Sequence, residues 1–423
     1  MKPVEPMETP RDPDGDRNQK TTTVALVTPY YPPKIGGVER YVAQLAQGLA
    51  AGGEFRPVVI TTRPSGKRTR TAVEDGVFVI RLGVWLRISN TPLSPLWPFQ
   101  VRRWLRRTGA SIVNVHAPVP GLGDIAILNS GRRRVVFTYH AGTMRKGTSD
   151  SGLADRIIAA YERRVLPRVF ARCDVPVPAG PSSLAASLPG AEMIVPGVDV
   201  TRFAPGPATG RRSELVYVGR MDRTSRWKGV DVLVDAFALL QDVAGLRLKL
   251  VGDGDALADH LAQAERLGLR DRVEATGALA GGALVEAIRG AAVLVLPSTT
   301  DAEVTGMVLM EAMACATPVV ASDVGSLAYT LNDGEAGLLV KPADAEELAA
   351  ACRRILTDPE LAARLGAAGR ARAEQHFAWP LVVRRYASVF AALAGSSTGA
   401  AAGEATGETA DRSTSTKRPT SAR

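Results

Sequence analysis

Between Ala292 and Ser322 two short apolar runs, Ala292 to Leu296 and Val319 to Ala321, flank a polar loop and one stretch of helical spacing. Short apolar runs bounded by turn residues fit strands buried on both faces of a parallel sheet. Pro297 and Ser298 end the first run, and Asp301 and Glu303 occupy the loop. After Gly306, the residues Met307, Leu309, Met310, Ala312 and Met313 recur with the spacing of a helix packed on one face. Thr305 suits its N-cap, and Pro318 forbids its continuation. The stretch therefore reads as strand, loop, short helix, strand.

A helix start leaves backbone N–H groups unpaired, so those of Gly306, Met307 and Val308 are candidates for holding phosphate oxygens. Glu303 stands just outside that anion site. At about 3.6 residues per turn, Glu311 lies roughly two turns further on, so both carboxylates can face one cleft. Carboxylates accept hydrogen bonds from sugar hydroxyls, and the set suits a sugar joined to a nucleoside diphosphate. By spacing alone the same residues also describe a solvated loop glutamate and a glutamate on an exposed helix face.

EVTGMVLMEAMACATPVV resembles the Glu-x7-Glu signature of the retaining glycosyltransferases of family 4, which have the GT-B fold. The resemblance runs from about Val24 to Leu393. It implies an α/β chain of two Rossmann-like parallel-sheet domains facing across a cleft, with Glu303 on the donor sugar and Glu311 on the nucleotide ribose. Two positions depart from the family pattern: Thr305 stands for phenylalanine and Ala316 for glycine.

With 423 residues, the chain has room for two domains with their own cores. Cys173, Cys315 and Cys352 show no metal-ligand spacing, so a reducing cytoplasm is expected and no metal site. Neither a leader nor a spanning segment is evident near the N-terminus. The net charge of +9 is uneven: residues 21–200 carry 23 Lys and Arg against 11 Asp and Glu, residues 201–394 carry 21 against 24. An anionic partner for the first half is the expectation.

Residues 1–20 are polar and expected to be disordered. Val24 to Thr28 is a strand, Pro32 to Gly37 a loop, and Val38 to Ala50 a helix, the opening of a Rossmann-like unit. Gly36 and Gly37 let backbone approach a ligand, and they match the family's GGVE loop beside the donor diphosphate. Strands follow at Val58 to Thr61, Phe78 to Arg81 and Ile112 to His116. His116 and His140 close apolar runs, where open sheets present ligand-binding residues. The resemblance places His116 near the reaction centre and His140 on the next strand. Leu96 to Gly109 sets Trp97, Phe99 and Trp104 among Arg102, Arg103, Arg106 and Arg107, which fits either an anionic membrane footing or an ordinary surface helix. No nucleic-acid motif accompanies this charge. Asp155 to Arg172 is expected to form one long helix, and the interdomain linker to fall within Phe203 to Arg212.

In the second half Arg220 follows the strand Leu215 to Val218, and Lys228 precedes Gly229 and a helix. Two cations on one loop can neutralise a leaving diphosphate, as the family's Gly-Arg and Lys-Gly pairs do. The loop between them is slightly longer than the family's, and Arg223, Arg226 and Trp227 fill the extra length with their role left open. Leu246 to Val251 and Val273 to Gly277 are further strands, the Gly252-Asp253-Gly254 turn is architectural, and backbone from Gly277 to Leu279 contacts the base in relatives.

The expected plan is a tail over 1–20, an acceptor-side domain over 21–204, a sugar-nucleotide domain over 205–378, a helix over 379–393 crossing back, and a disordered tail over 394–423. The expected function is retaining transfer, without cofactor or metal, from a UDP or GDP sugar to a lipid-linked or glycoside acceptor. Catalytic candidates are Arg220, Lys228, Glu303 and His116; donor-binding candidates are Gly36, Gly37, Gly277, Leu279, Gly306, Met307, Val308 and Glu311. The expected location is cytoplasmic, peripheral on the inner face of the membrane. Rival readings are an inactive sugar-nucleotide binder, a nucleotide-sugar epimerase, and a dinucleotide oxidoreductase. The last lacks the G-x-G-x-x-G its first strand would need.

Overall fold

The structure, a computed structural model, describes residues 21–34, 36–88, 91–117, 120–141, 152–206 and 213–402. The tails expected over 1–20 and beyond 402 lie outside them, as do 207–212 of the expected linker.

The described residues form fifteen strands and thirteen α-helices. The first half contributes β1 (Thr22–Val27), β2 (Phe55–Thr62), β3 (Arg70–Glu74), β4 (Val77–Leu82), β5 (Leu86–Ile88), β6 (Thr91–Leu93), β7 (Ile112–Ala117), β8 (Arg134–Tyr139) and β9 (Val175–Pro178). Its helices are α1 (Gly37–Gly52), α2 (Trp97–Arg107), α3 (Leu122–Leu128), α4 (Gly152–Arg164) and α5 (Leu166–Phe170). The second half contributes β10 (Glu214–Val218), β11 (Arg247–Val251), β12 (Val273–Gly277), β13 (Val293–Leu296), β14 (Val319–Ser322) and β15 (Leu338–Val340). Its helices are α6 (Val230–Ala238), α7 (Leu257–Arg266), α8 (Gly281–Gly290), α9 (Met307–Ala314), α10 (Leu327–Thr330), α11 (Ala345–Thr357), α12 (Pro359–Arg372) and α13 (Trp379–Ala402).

The first sheet has the order β3-β4-β2-β1-β7-β8-β9, parallel except for edge strand β3. The second has the order β12-β11-β10-β13-β14-β15 and is parallel throughout. In each, the chain builds outward from its first strand and then returns to that strand's other side. The strand order thus reverses between β1 and β7 and between β10 and β13, and ligands of open α/β sheets bind at the carboxyl ends of such strands. β1 runs there into Gly36 and Gly37, β7 into His116, β10 into Arg220, and β13 into the loop of Glu303. The topology alone brings the candidates to the two places where an α/β sheet binds.

The last helix completes the first core. Trp379, Val382, Tyr386 and Phe390 pack with Val24, Leu26, Tyr41, Leu45 and Val59, and fully burying one such side chain stabilises by about 1.5–3 kcal/mol. Tyr41 Oη donates to Tyr386 Oη at 2.8 Å, Tyr386 Oη shares a 2.9 Å hydrogen bond with Thr138 Oγ1, and Asn114 Nδ2 donates to that Oγ1 at 3.0 Å. The two chain crossings run side by side, the Val198 amide donating to Phe377 O at 2.7 Å and the Trp379 amide to Val198 O at 3.2 Å.

Four expectations change. The helix expected over Asp155–Arg172 is two, α4 and α5, because Pro167 stands in the first turn of α5 and cannot continue α4. Gly306, not Thr305, caps α9: its φ of 58° and ψ of 63° lie in the left-handed region that glycine adopts without a Cβ penalty. α13 continues past Ala394 to Ala402, so the first residues of the supposed tail extend the helix that begins at Trp379. Trp97, whose segment the sequence left open between a membrane footing and an ordinary surface helix, is on neither surface but fully buried with Val101 and Leu105, and its Nε1 donates to Gly83 O at 2.9 Å.

Ala316, where the family pattern has glycine, holds φ at 54°. The left-handed conformation costs a residue with a Cβ about 1–2 kcal/mol. Ala316→Gly is expected to stabilise the fold by roughly 1 kcal/mol in urea unfolding, less what glycine's freedom in the unfolded chain takes back; a lower midpoint would overturn this account.

Candidate active site

The second sheet supplies the polar centre. Lys228 Nζ lies 2.5 Å from Glu303 Oε2, and Ser298 Oγ donates to the same oxygen at 3.1 Å. Glu303 is 8% exposed. A carboxylate costs free energy to bury unless it is paired and hydrogen-bonded, and Lys228 and Ser298 supply both partners. Trp227 lies beneath the ammonium, its ring centroid 4.5 Å from Nζ, and its carbonyl accepts from the Thr299 amide at 2.7 Å. The loop whose role the sequence left open therefore fixes both Lys228 and the turn before Glu303. Arg223 and Arg226 turn away to Asp259.

Arg220 lies just past the carboxyl end of β10. Its side chain is 69% exposed and lies 3.6 Å from Asp222. α9 starts beside the first domain: a Cβ built on Gly37 would sit 3.3 Å from Met307 Sδ. The first turn of α9 thus lies against the Gly36–Gly37 loop. Glu311 is 6% exposed, and burial raises its carboxyl above the usual range, opposed by Arg40 and Arg202. Arg40 Nη1 reaches it from α1 at 3.5 Å.

A second interdomain contact lies next to Glu303. The Ser182 amide donates to Ser326 Oγ at 3.0 Å, and the two hydroxyls share a 2.7 Å hydrogen bond. A Cβ on Gly180 would meet Thr305 Cγ2 at 3.3 Å, so the small Thr305 faces the backbone of the first domain. The Gly325 amide donates to Asp301 Oδ1 at 2.8 Å.

His116 belongs to a separate group. It is fully buried, and its Nδ1 lies 3.1 Å from His140 Nε2, with the Tyr41 ring 5.7 Å away. Burial, then the neighbouring His140, hold its pKa well below normal, and burial takes His140 down to about 3. Both rings are neutral at neutral pH, and His116 Nε2 has no partner among the described residues. Gly277 and Leu279 lie at the end of β12 towards the far side of the second sheet. Gly277 O accepts from the Gly252 amide at 2.9 Å, and the Ala278 amide donates to Asp253 Oδ2 at 3.1 Å. Among the described residues no group of three or more His, Cys, Asp or Glu could hold a metal ion.

Sequence reasoning missed Arg40, Ser182, Ser298 and Ser326. Ser298 was detectable as the hydroxyl ending β13; nothing in the sequence marks the other three as partners of residues so distant in the chain.

The profile of "Glycosyltransferase Family 4" matches residues 35–177, and that of "Glycosyl transferases group 1" residues 203–372. A phosphatidyl-myo-inositol mannosyltransferase of Mycobacterium tuberculosis is 30% identical over 387 residues, covering 88% of this chain and 97% of the relative. A GDP-mannose-dependent alpha-(1-6)-phosphatidylinositol monomannoside mannosyltransferase of Mycolicibacterium smegmatis is 28% identical over 380 residues, covering 84% of this chain and 94% of the relative. Among solved structures, sucrose-phosphate synthase from Thermosynechococcus elongatus superposes with a TM-score of 0.73 at 25% identity, covering 89% of this chain and all of that one. With two parallel sheets that place their switch-point residues against each other, and with relatives matched over nearly their whole length, the chain belongs to glycosyltransferase family 4, GT-B enzymes that move a sugar from a nucleotide sugar to an acceptor hydroxyl.

Proposed function

We propose that this transferase moves a hexose, with retention and without bound metal, from a nucleoside diphosphate sugar to an envelope glycolipid precursor at the inner membrane face. The Lys228–Glu303 pair, at the carboxyl end of the second sheet beside the start of α9, carries the reading. Lys228, Arg220 and the α9 amides neutralise the departing diphosphate, the charge that develops as the glycosidic bond breaks. Glu303 orients the sugar, Glu311 the ribose, the backbone of Gly277 to Leu279 the base, and Gly36 and Gly37 admit the diphosphate. His116, neutral and with Nε2 unpartnered, serves the acceptor side of the reaction centre. The acceptor hydroxyl attacks from the face the diphosphate leaves, so the anomeric configuration is kept.

The Mycobacterium tuberculosis relative is a phosphatidyl-myo-inositol mannosyltransferase and the Mycolicibacterium smegmatis one is GDP-mannose-dependent, so GDP-mannose with phosphatidylinositol is the first pair to try, followed by UDP sugars. Lipid product with retained anomeric configuration, formed in the presence of EDTA, is expected. If neither GDP, UDP nor any of their sugar conjugates binds the folded protein, the reading fails; interconversion of donor sugars without acceptor would favour the epimerase.

No described helix is long and apolar enough to cross a membrane. The outer face of α2 instead presents Arg102, Arg103, Arg106 and Arg107 to solvent, with Phe99 72% exposed. The hairpin of β5 and β6 leads into it and exposes Trp85, Leu86 and Ile88. Apolar side chains beside basic ones suit the interface of an anionic bilayer, where each cation contributes about 1 kcal/mol. Replacing the four arginines by glutamine is expected to abolish sedimentation with phosphatidylglycerol vesicles and to spare transfer to a soluble acceptor. Undiminished sedimentation would remove the membrane footing.

A further inference from the structure

The start of α1 meets the start of α9 across the cleft in two rungs. Residues three or four apart share a helix face, so Gly37 and Arg40 form one edge of α1, and Met307 and Glu311 one edge of α9. In the first rung a Cβ on Gly37 would lie 3.3 Å from Met307 Sδ, so the helices approach closely because residue 37 has no side chain. In the second, Arg40 Nη1 reaches Glu311 Oε1 at 3.5 Å.

Little else answers Glu311. It is 6% exposed, its side chain accepts no hydrogen bond among the described residues, and Arg40 is its one ion-pair partner there. Keeping a carboxylate ionised in such a place costs free energy. Burial pushes its carboxyl up; Arg40 first, then Arg202 from the turn after Asp199, pull it back. The other charges packed around α9 are taken. Arg370 of α12 pairs with Glu374 and donates to the carbonyls of Val200, Phe203 and Ala314. Arg289 of α8 pairs with Glu286 and donates to Ala204 O. On α9's own end burial pushes the Cys315 thiol up to about 11, so it stays neutral.

We propose that Arg40 is a positioning residue of the nucleotide site: from the first domain it keeps Glu311 of the second an ionised acceptor for the ribose hydroxyls. The inference rests on the transferase reading, in which Glu311 takes the ribose. It adds that nucleotide affinity depends on a charge from the opposite domain, and so on the two domains being closed.

Calorimetry with GDP and with 2′,3′-dideoxy-GDP, from weakly acidic to neutral pH, compares wild type with Arg40→Met and Arg40→Lys. Methionine keeps an apolar stem without the charge, and lysine keeps the charge. At neutral pH Arg40→Met is expected to bind GDP about tenfold more weakly, the scale of one lost charge-assisted interaction. It should bind dideoxy-GDP as wild type does, because that probe has no ribose hydroxyls for Glu311 to receive. Arg40→Lys recovers part of the GDP affinity. A protonated carboxyl is a poorer acceptor, so GDP affinity falls as pH falls through the Glu311 pKa of the free protein. Without the Arg40 charge that pKa stands higher, and the fall begins at higher pH in Arg40→Met. Dideoxy-GDP, whose phosphates titrate alike, corrects for the nucleotide's own protons.

Equal GDP affinity in wild type and Arg40→Met overturns the role. So does an equal loss for both probes, which would put Arg40 on the diphosphate instead, and so does a fall in affinity that starts at the same pH in both proteins. Arg40→Gln gives the same comparison should the methionine variant fail to fold. Where UDP binds wild type more tightly than GDP, UDP and its dideoxy analogue take their place. Wild type that binds neither nucleotide strikes the transferase reading and the inference with it, whereas wild type and variant that bind alike strike the inference alone.

Discussion

Lys228→Ala is expected to lower turnover by about 100-fold or more, the loss seen when one preorganised donor to a developing anion is removed. Lys228 is held on two sides, by Glu303 at 2.5 Å and by the Trp227 ring at 4.5 Å, so its charge stands in place before the diphosphate starts to leave. Alanine removes that charge and leaves the Glu303 carboxylate with Ser298 Oγ alone. Two effects follow and can be separated: a fall in kcat at saturating donor, and a loss of stability from a buried charge without its partner. Lys228→Arg keeps the charge but spreads it over a planar fork and should recover only part of kcat. Steady-state kinetics beside thermal unfolding settle the matter; turnover within twofold of wild type, in protein that still folds, would remove Lys228 from the mechanism.

Gly325→Ala should be nearly as costly through displacement alone. Gly325 has φ at 59°, and an added Cβ would fall 1.7 Å from the carbonyl oxygen of Glu303, so the two loops must part. A shift near 1 Å at a positioned catalytic group costs on the order of 100-fold in rate, and the left-handed backbone adds about 1–2 kcal/mol of strain. Nucleotide affinity should hold, because Glu311 lies on α9 rather than in that loop. Kinetics with calorimetric GDP binding distinguish the cases: wild-type kcat would mean that Glu303 tolerates displacement, and lost GDP binding would mean that the damage spreads to α9.

Much of this was legible in the sequence because the signals are local. The apolar runs around Val24 and Val293 mark buried parallel strands, Gly36–Gly37 marks a close approach, and the interval from Glu303 to Glu311 fits a loop followed by a helix. Even the burial of Trp97 is written in its spacing to Val101 and Leu105, one helical stripe, which the surrounding arginines obscure. What stayed hidden depends on contacts between distant segments. Arg40 on Glu311 and Ser182 on Ser326 join the two domains, and no short window contains both partners. Gly306 displaces Thr305 as the cap because the chain must turn left-handed there, a demand set by packing against Leu296 and Leu327 rather than by hydroxyl chemistry.

The return of α13 to the first sheet bears on how the chain matures. Tyr41 is made early, yet Tyr386, 345 residues further along the chain, and Phe390 are needed to cover it. At roughly 5–20 residues per second the first half waits tens of seconds for its missing wall, while the second half can close as soon as it is made. Order of synthesis and order of completion are thus reversed. A ribosome that stops before Trp379 would release a protein with its second half built and one apolar side of its first half bare, a substrate for chaperones and proteases rather than a slow enzyme.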